Sequence, residues 1–192
     1  AVHEAGHALA QRVHFPDEPP TQVSILPRGR ALGFVEHAGG EGYRDQTLDR
    51  LCRAVQVLLA GRAAEELVLG PSGVTAGCSN DLERATALLL QSESNWGLDS
   101  QFGILSLSGA ARGLGAGAGR GDLPKEAIDR AREWLLRQQR AVLELLHDQQ
   151  AALEGLARLL VEREPLYADD LAAGFAEILS NAGRGAGREK GE

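Results

Sequence analysis

At 192 residues, with 43% apolar and 24% charged residues, the chain is long enough for one domain with a substantial core and has an ordinary globular composition. Its formal net charge of −7 excludes a nucleic-acid partner gripped through a basic stripe. No apolar run reaches the roughly 18 residues of a membrane-spanning helix, no signal-peptide pattern opens the chain, and the two cysteines, Cys52 and Cys78, form no C-x-x-C pair and no disulfide scaffold, which points to reduced thiols.

The chain opens on His3-Glu4-Ala5-Gly6-His7, the pattern H-E-x-x-H. A chain of this composition contains it by chance roughly 0.01 times. Residues four apart lie on one face of a helix, so His3 and His7 can present two imidazoles to one metal ion, with Glu4 beside them as a general base. Good helix formers continue the pattern through Leu9 and Val13, and Pro16 with Pro19-Pro20 ends it. A small sheet is expected next, from Val23–Leu26, a turn at Pro27-Arg28-Gly29-Arg30, and Ala31–Val35.

From about Asp45 to Leu69, Leu48, Leu51, Val55, Leu58 and Leu59 recur at helical spacing, and Gly70-Pro71 closes the helix. Asn80 with Glu83 three residues on reads as a capping box, opening a helix expected to run to Trp96-Gly97. The Gly/Ala-rich stretch 106–121 lacks the Gly-Lys-Ser/Thr of a phosphate loop and reads as a linker. From Pro124 a long helical pattern follows, with a break expected near His147-Asp148, and then a last helix from Asp169 to Leu179. Residues 181–192 read as a disordered tail. The fold class is mainly α with a small β-sheet: residues 1–105 as the site-bearing core, 106–121 as linker, and 122–180 as a C-terminal helical part of the same domain.

A catalytic zinc takes three protein ligands and keeps a position for water, so a third donor must come from elsewhere. Candidates are Glu65, Glu66, Asp81, His37, His14 and Cys78. His14 lies about 10 Å further along the first helix, too far to share the ion. Spacing leaves Asp81 and the Glu65-Glu66 pair nearly even, since an acidic residue in a first helical turn also suits the helix dipole without any metal.

His3–Leu9, Val23–Gly33, Gly61-Arg62-Ala63-Ala64-Glu65-Glu66, Thr75–Thr86 and Trp96-Gly97 occur in an order that resembles the peptidase domain of the FtsH family of ATP-dependent zinc proteases. The resemblance covers residues 1 to 105 strongly and the rest, through Leu171, more loosely. It implies one zinc ion held by His3, His7 and Asp81, with Glu4 catalytic. Glu65 and Glu66 then become groups that orient a metal-bound histidine, or else alternative ligands. It also implies unfolded polypeptide as substrate, taken as an added strand beside Ala31–Val35. Further implications are an upstream AAA module that carries the ATP site, a homo-hexamer, and membrane association with the peptidase on the cytoplasmic, matrix or stromal side. The chain departs from the family in its shortened Gly/Ala-rich linker and in Cys78, where a small residue is usual. With no methionine even at position 1, the chain is expected to be a piece of a longer protein. Two other readings use the same residues: a stand-alone metallopeptidase without an ATPase, and a catalytically silent assembly domain.

Overall fold

The computed structural model describes residues 1–26, 34–37, 47–92 and 125–185. Trp96, the linker at 106–121 and the turn at Pro27–Arg30 lie outside these residues. The described elements run α1 (Val2–His14), β1 (Pro20–Ser24), β2 (Phe34–His37), α2 (Leu48–Leu69), α3 (Ser79–Gln91), α4 (Lys125–Asp148), α5 (Gln150–Glu162), β3 (Leu166–Tyr167) and α6 (Ala168–Gly185), with short 3-10 turns at Pro71–Gly73 and Ala76–Cys78. No helix among the described residues is long and apolar enough to cross a membrane.

Small side chains bring α1 and α2 into close contact. Ala5, Ala8, Ala60, Ala63 and Ala64 are fully buried, and at Gly6 a Cβ would fall 2.5 Å from the Ala60 carbonyl oxygen and 2.6 Å from Ala64 Cβ. With no side chain between them the two backbones pack at a distance that larger residues would forbid. Thr47, whose hydroxyl accepts from Arg50 N–H, caps α2, and Gly70 with φ +78° ends it. On its other faces α2 packs against α3 and α4, and α1 packs against α5. Leu51, Val55, Leu59, Val142, Leu146, Leu153, Leu156, Leu160 and Leu171 fill the space between them.

The expected break in the long helix falls at Gln149, which leaves helical geometry (φ −111°, ψ 23°) between α4 and α5. The sheet holds one strand more than expected. β1 lies in the middle of the order β2-β1-β3, antiparallel to both neighbours, with Val23 opposite Val35 on one side and Leu166 on the other. The Glu164 carboxylate, just ahead of β3, accepts hydrogen bonds from Ser24 Oγ at 2.5 Å and Ile25 N–H at 2.8 Å, tying the C-terminal part to the end of β1. α6 extends to Gly185, past the boundary expected at residue 180.

The helix α3 begins differently from expectation. Its capping position is Cys78, no side chain caps it, and Asn80 lies inside the first turn, so the Asn80–Glu83 capping box does not form. The turn Ala76–Cys78 leads straight into α3, and it is started instead by Thr75, whose hydroxyl accepts from Gly77 N–H.

Candidate metal centre

α1 projects His3 and His7 from the same face, one turn apart, toward α2. The imidazoles meet edge to face, with centroids 4.7 Å apart and planes at 75°, and their Nε2 atoms are 3.0 Å apart. Asp81, in the first turn of α3, brings Oδ2 to 3.3 Å from both Nε2 atoms. The three side chains are only 11–16% exposed. Among the described residues they form the one group of three His, Cys, Asp or Glu side chains able to share an ion.

The polarity of the triangle is decided by His7. Its Nδ1–H donates to the Val57 carbonyl at 2.8 Å, so in the neutral ring Nε2 carries a lone pair. His3 Nδ1 is buried and makes no hydrogen bond. Glu65 Oε1 lies 3.3 Å from it, close enough for an ion pair but not aligned as a hydrogen bond. That carboxylate favours a proton on Nδ1 and a lone pair on Nε2 here too. Two lone pairs and a carboxylate oxygen then face one another at 3.0–3.3 Å. Three acceptors cannot satisfy one another; a cation or a shared proton can. A tetrahedral zinc with bonds of about 2.0–2.1 Å separates its donors by about 3.3 Å, so the donor set and its spacing fit that ion.

The electrostatics of the metal-free chain follow. Burial pushes the Asp81 carboxyl up, but His3 and His7 together outweigh it and hold Asp81 well below the usual carboxylate range. Burial pushes His7 down, yet Asp81, Glu4 and the Val57 carbonyl leave it above its ordinary value. For Glu4, burial wins: its carboxyl is raised despite the two nearby imidazoles.

The remaining candidates separate cleanly. Glu65 is buried on the α2 face that meets His3, and both its oxygens accept from Thr75, from N–H at 2.8 Å and from Oγ–H at 2.9 Å. Glu66 turns the other way, to Arg62 at 3.1 Å and Gln139 Nε2 at 3.3 Å. His14 closes α1, outside the cluster, and His37 is the last residue of β2. The Cys78 thiol donates to the Thr75 carbonyl at 3.3 Å, and burial raises its pKa, so it stays a thiol.

Sequence reasoning named Gly61 and Thr75 only within the stretches that carry the family resemblance, with no role in the site, and did not mention Val57. A Cβ on Gly61 would stand 2.5 Å from His7 Nε2 and 2.6 Å from His3 Nε2. A glycine inside a helix, about 1 kcal/mol worse than alanine there, was the available signal. The Val57 carbonyl, being backbone, leaves none.

Residues 1–173 match peptidase family M41. The chain is 38% identical over 179 residues to ATP-dependent zinc metalloprotease FtsH 1 of Symbiobacterium thermophilum, covering 90% of this chain and 28% of that protein. It is 33% identical over 175 residues to ATP-dependent zinc metalloprotease YME1L of Drosophila melanogaster, covering 90% and 23%. With ATP-dependent zinc metalloprotease FtsH of Aquifex aeolicus the identity is 41% over 107 residues, 56% of this chain and 17% of that protein. The chain thus spans about a quarter of the length of the first two relatives. It belongs to peptidase family M41, as a metallopeptidase domain of the FtsH type.

Proposed function

We propose that the chain hydrolyses peptide bonds at a zinc site held by His3, His7 and Asp81, with Glu4 as general base. The convergence of three acceptor atoms at 3.0–3.3 Å in a largely enclosed site carries this reading. Bound there, zinc would supply Lewis acidity toward both the attacking water and the scissile carbonyl. Glu4 takes the proton from the water and passes it to the leaving amine; a carboxyl whose pKa burial has raised is a better match to that shuttle than an exposed one. Val57 fixes the tautomer of His7, and Glu65 orients His3.

The substrate is an unfolded polypeptide, and β2, at the end of the strand order among the described residues, offers the edge along which it can add as a strand. Delivery by an AAA module in the same longer protein, ATP use confined to that module, hexameric assembly and membrane association are proposed from the resemblance to the FtsH family; the ATP dependence in the names of the relatives above supports the ATP-using module. Residues 1–105 and 122–180 act as one domain, which the packing of α4 on α2 and of α5 on α1 supports.

The test is casein hydrolysis by the zinc-loaded chain. Glu4→Gln lowers the rate by about 10²–10⁴-fold at equal zinc content; an unchanged rate eliminates the general-base role. Asp81→Ala loses zinc. If it keeps a full equivalent while Glu65→Ala or Glu66→Ala does not, the ligand assignment is wrong.

A further inference from the structure

Thr75 sits in the short link between α2 and α3, and its polar atoms are all engaged. Its N–H donates to Glu65 Oε2 at 2.8 Å and its Oγ–H to Glu65 Oε1 at 2.9 Å. Its Oγ also accepts from Gly77 N–H at 3.2 Å, and its carbonyl accepts from the Cys78 thiol at 3.3 Å. We propose that Thr75 is a positioning residue of the metal site, locking the Glu65 carboxylate so that one latch fixes both His3 on α1 and the turn that delivers Asp81 on α3. The proposal rests on the zinc reading above.

Glu65 is buried. A buried carboxylate needs donors, and it is free to rotate about its last torsion unless both oxygens are held. Thr75 holds one oxygen with each of its two donors, which fixes the carboxylate plane. Oε1 then keeps a lone pair for His3 Nδ1, 3.3 Å away. From the other side, the same hydroxyl starts the 3-10 turn Ala76–Cys78, and α3 with Asp81 follows without a break. His3 and Asp81 are 78 residues apart in sequence, yet both are set by one Thr–Glu pair. Breaking the pair loosens two of the three ligands together, where loss of an ordinary turn residue would loosen one at most.

The experiment measures zinc affinity by competition with a chromophoric chelator for the wild type, Thr75→Val and Thr75→Ser, alongside thermal melting of the metal-free proteins. Valine keeps the shape and the N–H but removes the hydroxyl; serine keeps the hydroxyl. Thr75→Val weakens zinc binding by about 10–100-fold, as expected for an outer partner of a metal ligand, and Thr75→Ser restores it to within about threefold. A valine variant that binds zinc as tightly as wild type overturns the proposal, as does a serine variant as weak as the valine one. Amide exchange in the wild type gives a test independent of any variant's folding. Because coupling is reciprocal, zinc must slow exchange of the Thr75 amide more than that of the Arg50 amide at the far end of α2. Equal slowing overturns the proposal even if Thr75→Val does not fold. A wild type that binds no zinc at all overturns the zinc reading itself, an outcome distinct from a wild type that binds and a valine variant that matches it.

Discussion

Replacing Gly61 by alanine places a methyl carbon 2.5 Å from His7 Nε2 and 2.6 Å from both Cε1 and Nε2 of His3. Ordinary contact begins near 3.4 Å, so each ring must retreat by almost 1 Å. The atoms in the way are the ends of side chains, so the backbone need not open. Rotating two imidazoles off their preferred torsions costs about 0.5–1.5 kcal/mol each, and the better helix propensity of alanine offsets about 1 kcal/mol of that. The metal-free fold therefore changes by no more than about 2 kcal/mol. Zinc is less forgiving, because ligand distances tolerate only about 0.2 Å. A retreat several times larger should weaken zinc binding by at least about 100-fold, or roughly 2.8 kcal/mol. Chelator competition and melting of the metal-free protein, measured on the same samples, separate the two effects. Zinc affinity within threefold of wild type in Gly61→Ala would show that the Nε2 atoms facing Gly61 are not the donors, and the site as argued would fall.

Gly6→Ala makes the opposite contrast: its Cβ meets the Ala60 backbone and Ala64 Cβ, which cannot swing away. Denaturant unfolding of the metal-free protein should show a loss of about 1–3 kcal/mol. The pH dependence of the metal-free chain has two signs. His7 is raised above 6.5, so its contribution is full below 6.5 and fades as pH rises through its folded value. Asp81 is lowered from 3.8, so its contribution is present above 3.8 and fades as pH falls through its folded value. Melting temperature should therefore drop as pH rises from 6.5 through the folded value of His7, and Asp81→Asn should flatten that drop. Zinc affinity should climb across the same interval, because the metal displaces a proton from His7. Glu164→Ala leaves buried Ser24 and the Ile25 N–H without their acceptor, for an expected loss of about 2–4 kcal/mol by denaturant unfolding.

What the sequence discloses here is what local geometry decides. His3 and His7 share a face because they are one turn apart, α2 follows from its apolar period, and the break at Gln149 follows from the length of the pattern. Asp81, Glu65 and Glu66 could not be ranked by spacing, because the difference between them is which way each points after the chain has folded. Glu66 is turned away by Arg62 and Gln139, and Glu65 is claimed by Thr75. The same latch explains the failed capping box. Asn80 had the right local chemistry, but the tertiary bond from Thr75 to Glu65 sets a turn that starts the helix earlier. β3 is two residues long and has no pattern of its own; it exists because Leu166 can pair with Val23.

The partners of the two histidines reveal a rule that no single motif contains. Val57 meets His7, Glu65 meets His3, and Gly61 faces both. These three lie four residues apart on one stripe of α2, and they meet the histidine stripe of α1 in reverse order, so the helices run antiparallel at the site. Each position on the stripe has a different requirement: a carbonyl at 57, a bare hydrogen at 61, a carboxylate at 65. Close approach makes all three possible, and that approach depends on Gly6 and the alanines beside it. The seam between α1 and α2 is thus part of the proposed metal site, and a substitution that widened it without touching His3, His7 or Asp81 would still be expected to lower zinc affinity.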